Sequence, residues 1–172
     1  GVVAFDEAYV DFGGKSALGF LDRHPNVVVV RTMSKAFGLA GVRLGYAFGS
    51  AHLIDSLYKI KDSYNVDLLT QVAGCAALDA WDEYAAVNLE TAARRDRVAD
   101  ALRGRFGWHV WPSATNFVLA TPLDADAVVI ARRLKTERIL VRHFGQERLN
   151  RSLRISIGSE PEMNRFLDVL EQ

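Results

Sequence analysis

The chain has 172 residues, 49% hydrophobic and 24% charged, with 21 Lys plus Arg against 21 Asp plus Glu. That composition fits an ordinary globular protein of one domain, or one and a small second, and zero net charge gives nucleic acid or an acidic membrane no electrostatic hold. A single cysteine excludes an internal disulfide, and no apolar run approaches the ~20 residues of a membrane helix.

Gly1-Val2-Val3-Ala4-Phe5-Asp6 opens the chain without a Met or a polar lead-in. Such an opening is expected of the back part of something longer. Val2 to Phe5 is a short apolar run, which predicts a strand buried on both faces of a parallel sheet. Gly13-Gly14-Lys15-Ser16 is a turn, and it lacks the spacing of a phosphate loop. Val27 to Val30 predicts a second buried strand. Val42 to Phe48 predicts a third, in which Gly45 marks a close backbone approach.

Leu53, Ile54, Leu57 and Ile60 recur at helical spacing between Ala51 and Lys61. Ser63-Tyr64-Asn65 interrupts the pattern, and helices follow over about 67–81 and 82–106, the second with Leu89, Val98 and Leu102 on its apolar side. Gly104 and Gly107 end it. Arg94, Arg95 and Arg97, interleaved with Glu90, Asp96 and Asp100, read as a solvated helix face. Cys75, among small apolar neighbours, reads as a buried structural thiol.

After Gly107 the texture changes. Strands are expected at Trp108–Trp111, Asn116–Ala120, Ile139–Arg142 and Leu153–Ile157. A helix is expected over Asp124–Lys135 with Asp124 as N-cap. A last one runs from Ser159-Glu160-Pro161-Glu162 to Leu170, with Ser159 and Glu162 as a capping box. The expected fold class is α/β. Residues 1–105 form the end of an α/β layer with a mostly parallel sheet, and residues 106–172 a small α+β unit.

Lys35 concentrates the chemistry. It follows the Val27–Val30 strand and closes a hydroxyl-rich turn, Arg31-Thr32-Met33-Ser34-Lys35, with Arg43 eight residues on. A lysine so placed can hold an aldehyde cofactor as a Schiff base while its neighbours hold the cofactor's phosphate. Asp6 and Glu7 lie just past a strand end, where open α/β sheets bind ligands. A carboxylate there can keep a pyridinium nitrogen protonated, and a helix cap or solvated loop is the plainer reading of the same pair. Arg43, at the start of an apolar strand, calls for an anion or a local carboxylate. So does Arg154, embedded in Leu153-Arg154-Ile155-Ser156-Ile157, and Arg142 has the same look with less force. His24, His52, His109 and His143 have no metal-ligand spacing. His143 lies near enough to Arg142 in sequence to touch a substrate.

Three stretches carry a resemblance. They are Phe5-Asp6-Glu7-Ala8-Tyr9-Val10-Asp11-Phe12, then Ser34-Lys35-Ala36-Phe37-Gly38-Leu39-Ala40-Gly41-Val42-Arg43-Leu44-Gly45-Tyr46, then Tyr64-Asn65-Val66 with Leu69 and Gln71. Ser113 to Leu119 and Leu153 to Gly158 agree with them. Together they resemble the C-terminal part of a fold-type-I aminotransferase of the histidinol-phosphate aminotransferase family, which uses pyridoxal 5′-phosphate. The resemblance implies a large cofactor-binding domain ending near residue 105 and a small C-terminal domain after it. It implies that Lys35 carries the cofactor and moves the proton between Cα and C4′. Asp6 would pair with the pyridinium nitrogen, Tyr9 with O3′, and Thr32, Ser34 and Arg43 with the phosphate. Arg154, with Arg142 as a second contact, would hold the substrate's anion. Asn116 receives no role, and Tyr64 is placed near the interface of a homodimer.

The activity so implied is L-histidinol phosphate plus 2-oxoglutarate giving imidazole-acetol phosphate plus glutamate, in histidine biosynthesis, by a cytoplasmic enzyme with an amino donor and a 2-oxo acid as partners. Two alternatives stand beside it. One is a threonine-phosphate decarboxylase or another class I/II aminotransferase. The other is an inactive truncated piece with a folding or interaction role only.

Overall fold

A computed structural model describes residues 1–171. Two compact units divide within one long helix, at Asn88/Leu89, whereas the texture of the sequence changes at that helix's end.

The first unit holds a three-stranded sheet in the order β1 (Val3–Asp6), β2 (Val27–Thr32), β3 (Gly45–Gly49). β1 runs parallel to β2, with Asp6 beside Val30, and β3 runs antiparallel to β2, with Gly45 beside Thr32. This register brings the ends of β1 and β2 and the start of β3 to one edge of the sheet. Gly45 is required there, because a Cβ would lie 2.9 Å from the Arg31 carbonyl oxygen. Val29 is fully enclosed and packs with Ala17 and Val27. β1 is not buried as its apolar run predicts. All four of its residues are exposed, because it lies at the sheet's edge, although Phe20 stacks on Phe5 with ring centres 5.9 Å apart.

Helix α1 (Ala51–Ile60) starts where the Ser50 hydroxyl accepts from the Leu53 N–H, and α2 (Leu68–Asp79) where Asp67 accepts from Thr70. α2 is buried through Gly74 and Ala77. Cys75 sits about 100° round the helix from Gly74 and is exposed, not the buried thiol expected. α3 (Trp81–Phe106) continues into the second unit.

The second unit is a four-stranded antiparallel sheet, β4 (His109–Val110), β5 (Phe117–Thr121), β7 (Leu153–Ser156), β6 (Arg142–His143) in spatial order. Alternation turns Val110, Val118, Ala120, Leu153 and Ile155 to one side. There they pack with Val98 and Leu102 of α3, Ala127, Ile130 and Leu134 of α4 (Ala127–Thr136), and Met163, Phe166 and Leu167 of α5 (Glu160–Glu171). Leu89, expected on α3's apolar side, is exposed. Arg95 is buried, not solvated, and donates to the Thr115 carbonyl at 2.9 Å. The α4 cap is Asp126, not Asp124, accepting from the Val128 N–H at 2.8 Å. The strand expected over Ile139–Arg142 begins only at Arg142, since Arg138 takes a left-handed turn at φ 60° that ends α4. At α5 the Glu162 carboxylate accepts both the backbone N–H and the hydroxyl of Ser159 at 2.7 Å, which is the glutamate's half of the capping box.

Candidate active site

The edge where β1 and β2 end gathers the residues singled out around Lys35. The turn after β2 is held from below: Met33, Ala36 and Phe37 are buried with Ala77. Burying a ring of this size is worth roughly 2–3 kcal/mol, and Phe37 packs on Trp81 and Tyr84 at 5.4 and 5.3 Å between ring centres. Gly38 adopts φ +64°, and Leu39 donates back to the Met33 carbonyl at 3.0 Å, closing the turn. With its apolar residues pinned inward, the turn leaves Lys35 exposed. The Lys35 Nζ lies 5.6 Å from the centre of the Tyr9 ring, and no carboxylate pairs with it among the described residues.

Thr32 Oγ1 accepts from the Ser34 N–H at 3.1 Å and stands 2.9 Å from Ser34 Oγ. Two half-buried hydroxyls therefore form one polar ledge beside Lys35. Arg43 does not begin a strand. It closes a short 3-10 turn (Ala40–Val42) in the left-handed region at φ 60°, a conformation unfavourable for a side chain with a Cβ. Its Nη1 donates to the Ala40 carbonyl at 2.8 Å. No ion pair to a local carboxylate forms among the described residues, so the guanidinium's other donors are open. Asp6 is exposed at the end of β1, and one of its oxygens accepts from the Ala8 N–H at 3.0 Å.

Glu7 was legible only as Asp6's neighbour, yet it is the buried one of the pair. Its Oε2 accepts from Arg31 Nε and Nη2 at 3.0 and 2.9 Å and from the Ser16 hydroxyl at 3.1 Å, while Oε1 accepts from the Ala17 N–H. Burial pushes its carboxyl up, but the Ala17 N–H, the Arg31 guanidinium and the Ser16 hydroxyl together outweigh that and hold it below the usual carboxylate range. The signal in the sequence was Arg31, a charge ending the run Val27–Val30.

In the second unit Arg142 and Arg154 are direct partners across β6 and β7, and Leu119 faces Arg154 from β5. Like charges directly opposite each other on a sheet repel. The guanidinium of Arg154 lies over the Phe117 ring at 5.2 Å, and that of Arg142 over Phe144 at 5.6 Å. The Nε of Arg154 is buried without a hydrogen-bond partner among the described residues. Two opposed cations, one with an orphaned donor, are an arrangement that an anion would complete. His143 Nε2 is engaged with the Asn150 carbonyl at 2.7 Å. No group of three or more potential metal ligands occurs among the described residues.

The family model for aminotransferase class I and II matches residues 1–170. The chain is 45% identical over 174 residues to histidinol-phosphate aminotransferase 2 of Burkholderia mallei, covering 99% of this chain and 49% of that protein. It is 40% identical to histidinol-phosphate aminotransferase of Microcystis aeruginosa, covering all of this chain and 49% of that one. Among solved structures, histidinol-phosphate aminotransferase from Sinorhizobium meliloti in complex with pyridoxal-5′-phosphate superposes with a TM-score of 0.83 at 32% identity, over 99% of this chain and 49% of that chain. The chain thus spans about half the length of the curated relatives it matches. It belongs to the class I and II aminotransferase family.

Proposed function

We propose that this chain carries the C-terminal portion of a pyridoxal-phosphate-dependent aminotransferase acting on L-histidinol phosphate and 2-oxoglutarate. In this reading, residues 1–105 are the end of the cofactor-binding domain and residues 106–172 the small C-terminal domain. The observation that carries it is the open Lys35 amine beside the Tyr9 ring, with the Thr32–Ser34 ledge and Arg43 on the same turn.

The donor set fits the cofactor. Two hydroxyls and a guanidinium free of any carboxylate suit a phosphate, and a carboxylate with one open oxygen, Asp6, suits a protonated ring nitrogen. When bound, the cofactor supplies an electron sink that makes the Cα–H bond of an attached amine acidic. Thr32, Ser34 and Arg43 would hold the phosphate, and Asp6 would keep the ring nitrogen protonated. Tyr9 would donate to the cofactor's O3′. Lys35 Nζ would hold the cofactor through its aldehyde and would serve as the group that moves the proton from the substrate's Cα. Arg154 and Arg142 hold the substrate's anionic group.

The curated relatives favour histidinol phosphate as the amine. A homodimer fits the exposure of the large apolar residues Tyr58, Ile60, Tyr64, Leu68 and Leu69, with Tyr64 97% accessible in a left-handed conformation. The test is to add pyridoxal 5′-phosphate to the full-length protein, reduce with borohydride and map the label. Wild type is expected to carry it on Lys35 and to form glutamate from 2-oxoglutarate only when L-histidinol phosphate is present, and Lys35→Ala should do neither. A label on another lysine, or carbon dioxide release from threonine phosphate without glutamate formation, would overturn the assignment.

A further inference from the structure

We infer that Glu7 and Arg31 act as one positioning unit, which sets the distance between the ring-binding and phosphate-binding halves of the cofactor site. The inference rests on the cofactor reading above.

In that reading, Asp6 and Tyr9 hold the ring and belong to the end of β1. Thr32, Ser34 and Lys35 hold the phosphate and the reactive carbon, and belong to the end of β2. The cofactor is rigid, so its affinity depends on how far apart these two strand ends stand. The last backbone rung between them is the Glu7 N–H to the Val30 carbonyl at 2.8 Å. Beyond that rung no strand pairing remains to keep the ends together.

The Glu7–Arg31 ion pair takes over at that point. Glu7 lies between Asp6 and Tyr9, and Arg31 immediately precedes Thr32. Arg31 Nε and Nη2 both reach Glu7 Oε2, at 3.0 and 2.9 Å, with Glu7 8% exposed. A part-buried, charge-assisted contact in which two guanidinium donors converge on one carboxylate oxygen restrains the distance between the two chain segments. Its surroundings lock it further. The Arg31 Nη2 also donates to Ser16 Oγ at 3.1 Å, and its guanidinium lies 5.7 Å from the centre of the Phe48 ring on β3. Glu7 Oε1, by accepting from the Ala17 N–H, ties the loop that follows Tyr9 to the same carboxylate. Neighbouring residues on a strand point to opposite faces, so Arg31 can serve this grip while Thr32 presents its hydroxyl to the ledge.

The alternative is a pair that stabilises the fold without tuning the site, and cofactor affinity separates the two. Glu7→Ala, Arg31→Ala and the double variant are prepared in the full-length protein, and circular dichroism selects a temperature at which all are folded. Pyridoxal 5′-phosphate is then titrated by absorbance, with pyridoxal lacking the phosphate as a second probe. A positioning unit predicts that each single change weakens pyridoxal 5′-phosphate binding by about tenfold or more. The double variant should be no worse than the poorer single one, because the pair acts as a unit. Pyridoxal, which reaches the end of β2 through Lys35 alone and leaves Thr32 and Ser34 unused, should lose less than threefold.

Lowered melting temperatures with cofactor affinity within twofold of wild type would overturn the inference and leave a structural ion pair. Equal losses for both probes would also overturn it. Absence of pyridoxal 5′-phosphate binding in wild type would instead refute the cofactor reading on which it rests.

Discussion

Replacing Arg154 by Met should leave the stability of the empty protein nearly unchanged while, in the proposed reading, disabling it toward its substrate. In the wild type the Arg154 Nε is buried without a hydrogen-bond partner among the described residues, a deficit of about 1–3 kcal/mol. Arg142 stands directly opposite and adds repulsion of the same sign. Against these stands the contact of the guanidinium with the Phe117 ring at 5.2 Å, worth about 0.5–2 kcal/mol. Methionine keeps a long flexible stem over that ring and removes the orphaned donor. The net change in unfolding free energy should lie between about 1 kcal/mol of destabilisation and about 2.5 kcal/mol of stabilisation. With Arg154 as the proposed anion contact, losing two charge-assisted hydrogen bonds at about 1.5–3 kcal/mol each would lower kcat/KM by about 10²–10⁴. Urea unfolding without ligands and steady-state kinetics with saturating cofactor measure the two quantities, and cofactor affinity should stay near that of wild type. Destabilisation beyond about 2 kcal/mol, or a parallel loss of cofactor affinity, would show that Arg154 serves the fold and refute the reasoning.

Two glycine replacements should differ although both create short contacts. In Gly45→Ala the new Cβ meets the Arg31 carbonyl at 2.9 Å, and since backbone cannot swing aside, the change should cost about 1–3 kcal/mol. In Gly74→Ala the Cβ meets Leu44 Cδ2 at 2.5 Å, the end of a flexible side chain. The gain of about 1 kcal/mol in helix propensity should largely offset the repacking, as urea unfolding of the two variants will show.

Glu7 also sets a pH dependence. Its folded carboxyl titrates below the ordinary value of 4.5, so its contribution is complete above that value and is lost as pH falls through the lower folded pKa. Glu7→Gln should therefore flatten the acid limb of stability against pH, and an unchanged limb would mean that other carboxylates dominate it.

Helix positions, the α+β character of the second unit and the residues around Lys35 were legible in the sequence, because they depend on local patterns. Apolar periodicity, hydroxyls placed to cap, and a lysine in a hydroxyl-rich turn after a strand all act within a few residues. Burial was read less well. β1 reads as an enclosed strand and lies exposed at a sheet edge, Cys75 and Leu89 face outward, and Arg95 faces inward. Whether a face is covered depends on elements distant in sequence, and composition does not record which of them pack together.

The same limit separates the site's parts. The sequence by itself determined that Lys35 has hydroxyls at hand and an arginine eight residues on, because chain connectivity enforces that closeness. Only the tertiary structure decided that the Tyr9 ring lies beside the Lys35 amine, that Arg142 opposes Arg154, and that Glu7 grips Arg31. Each of those contacts joins two strands or the turns at their ends, and strand register, set by packing across the whole sheet, fixes which residues meet.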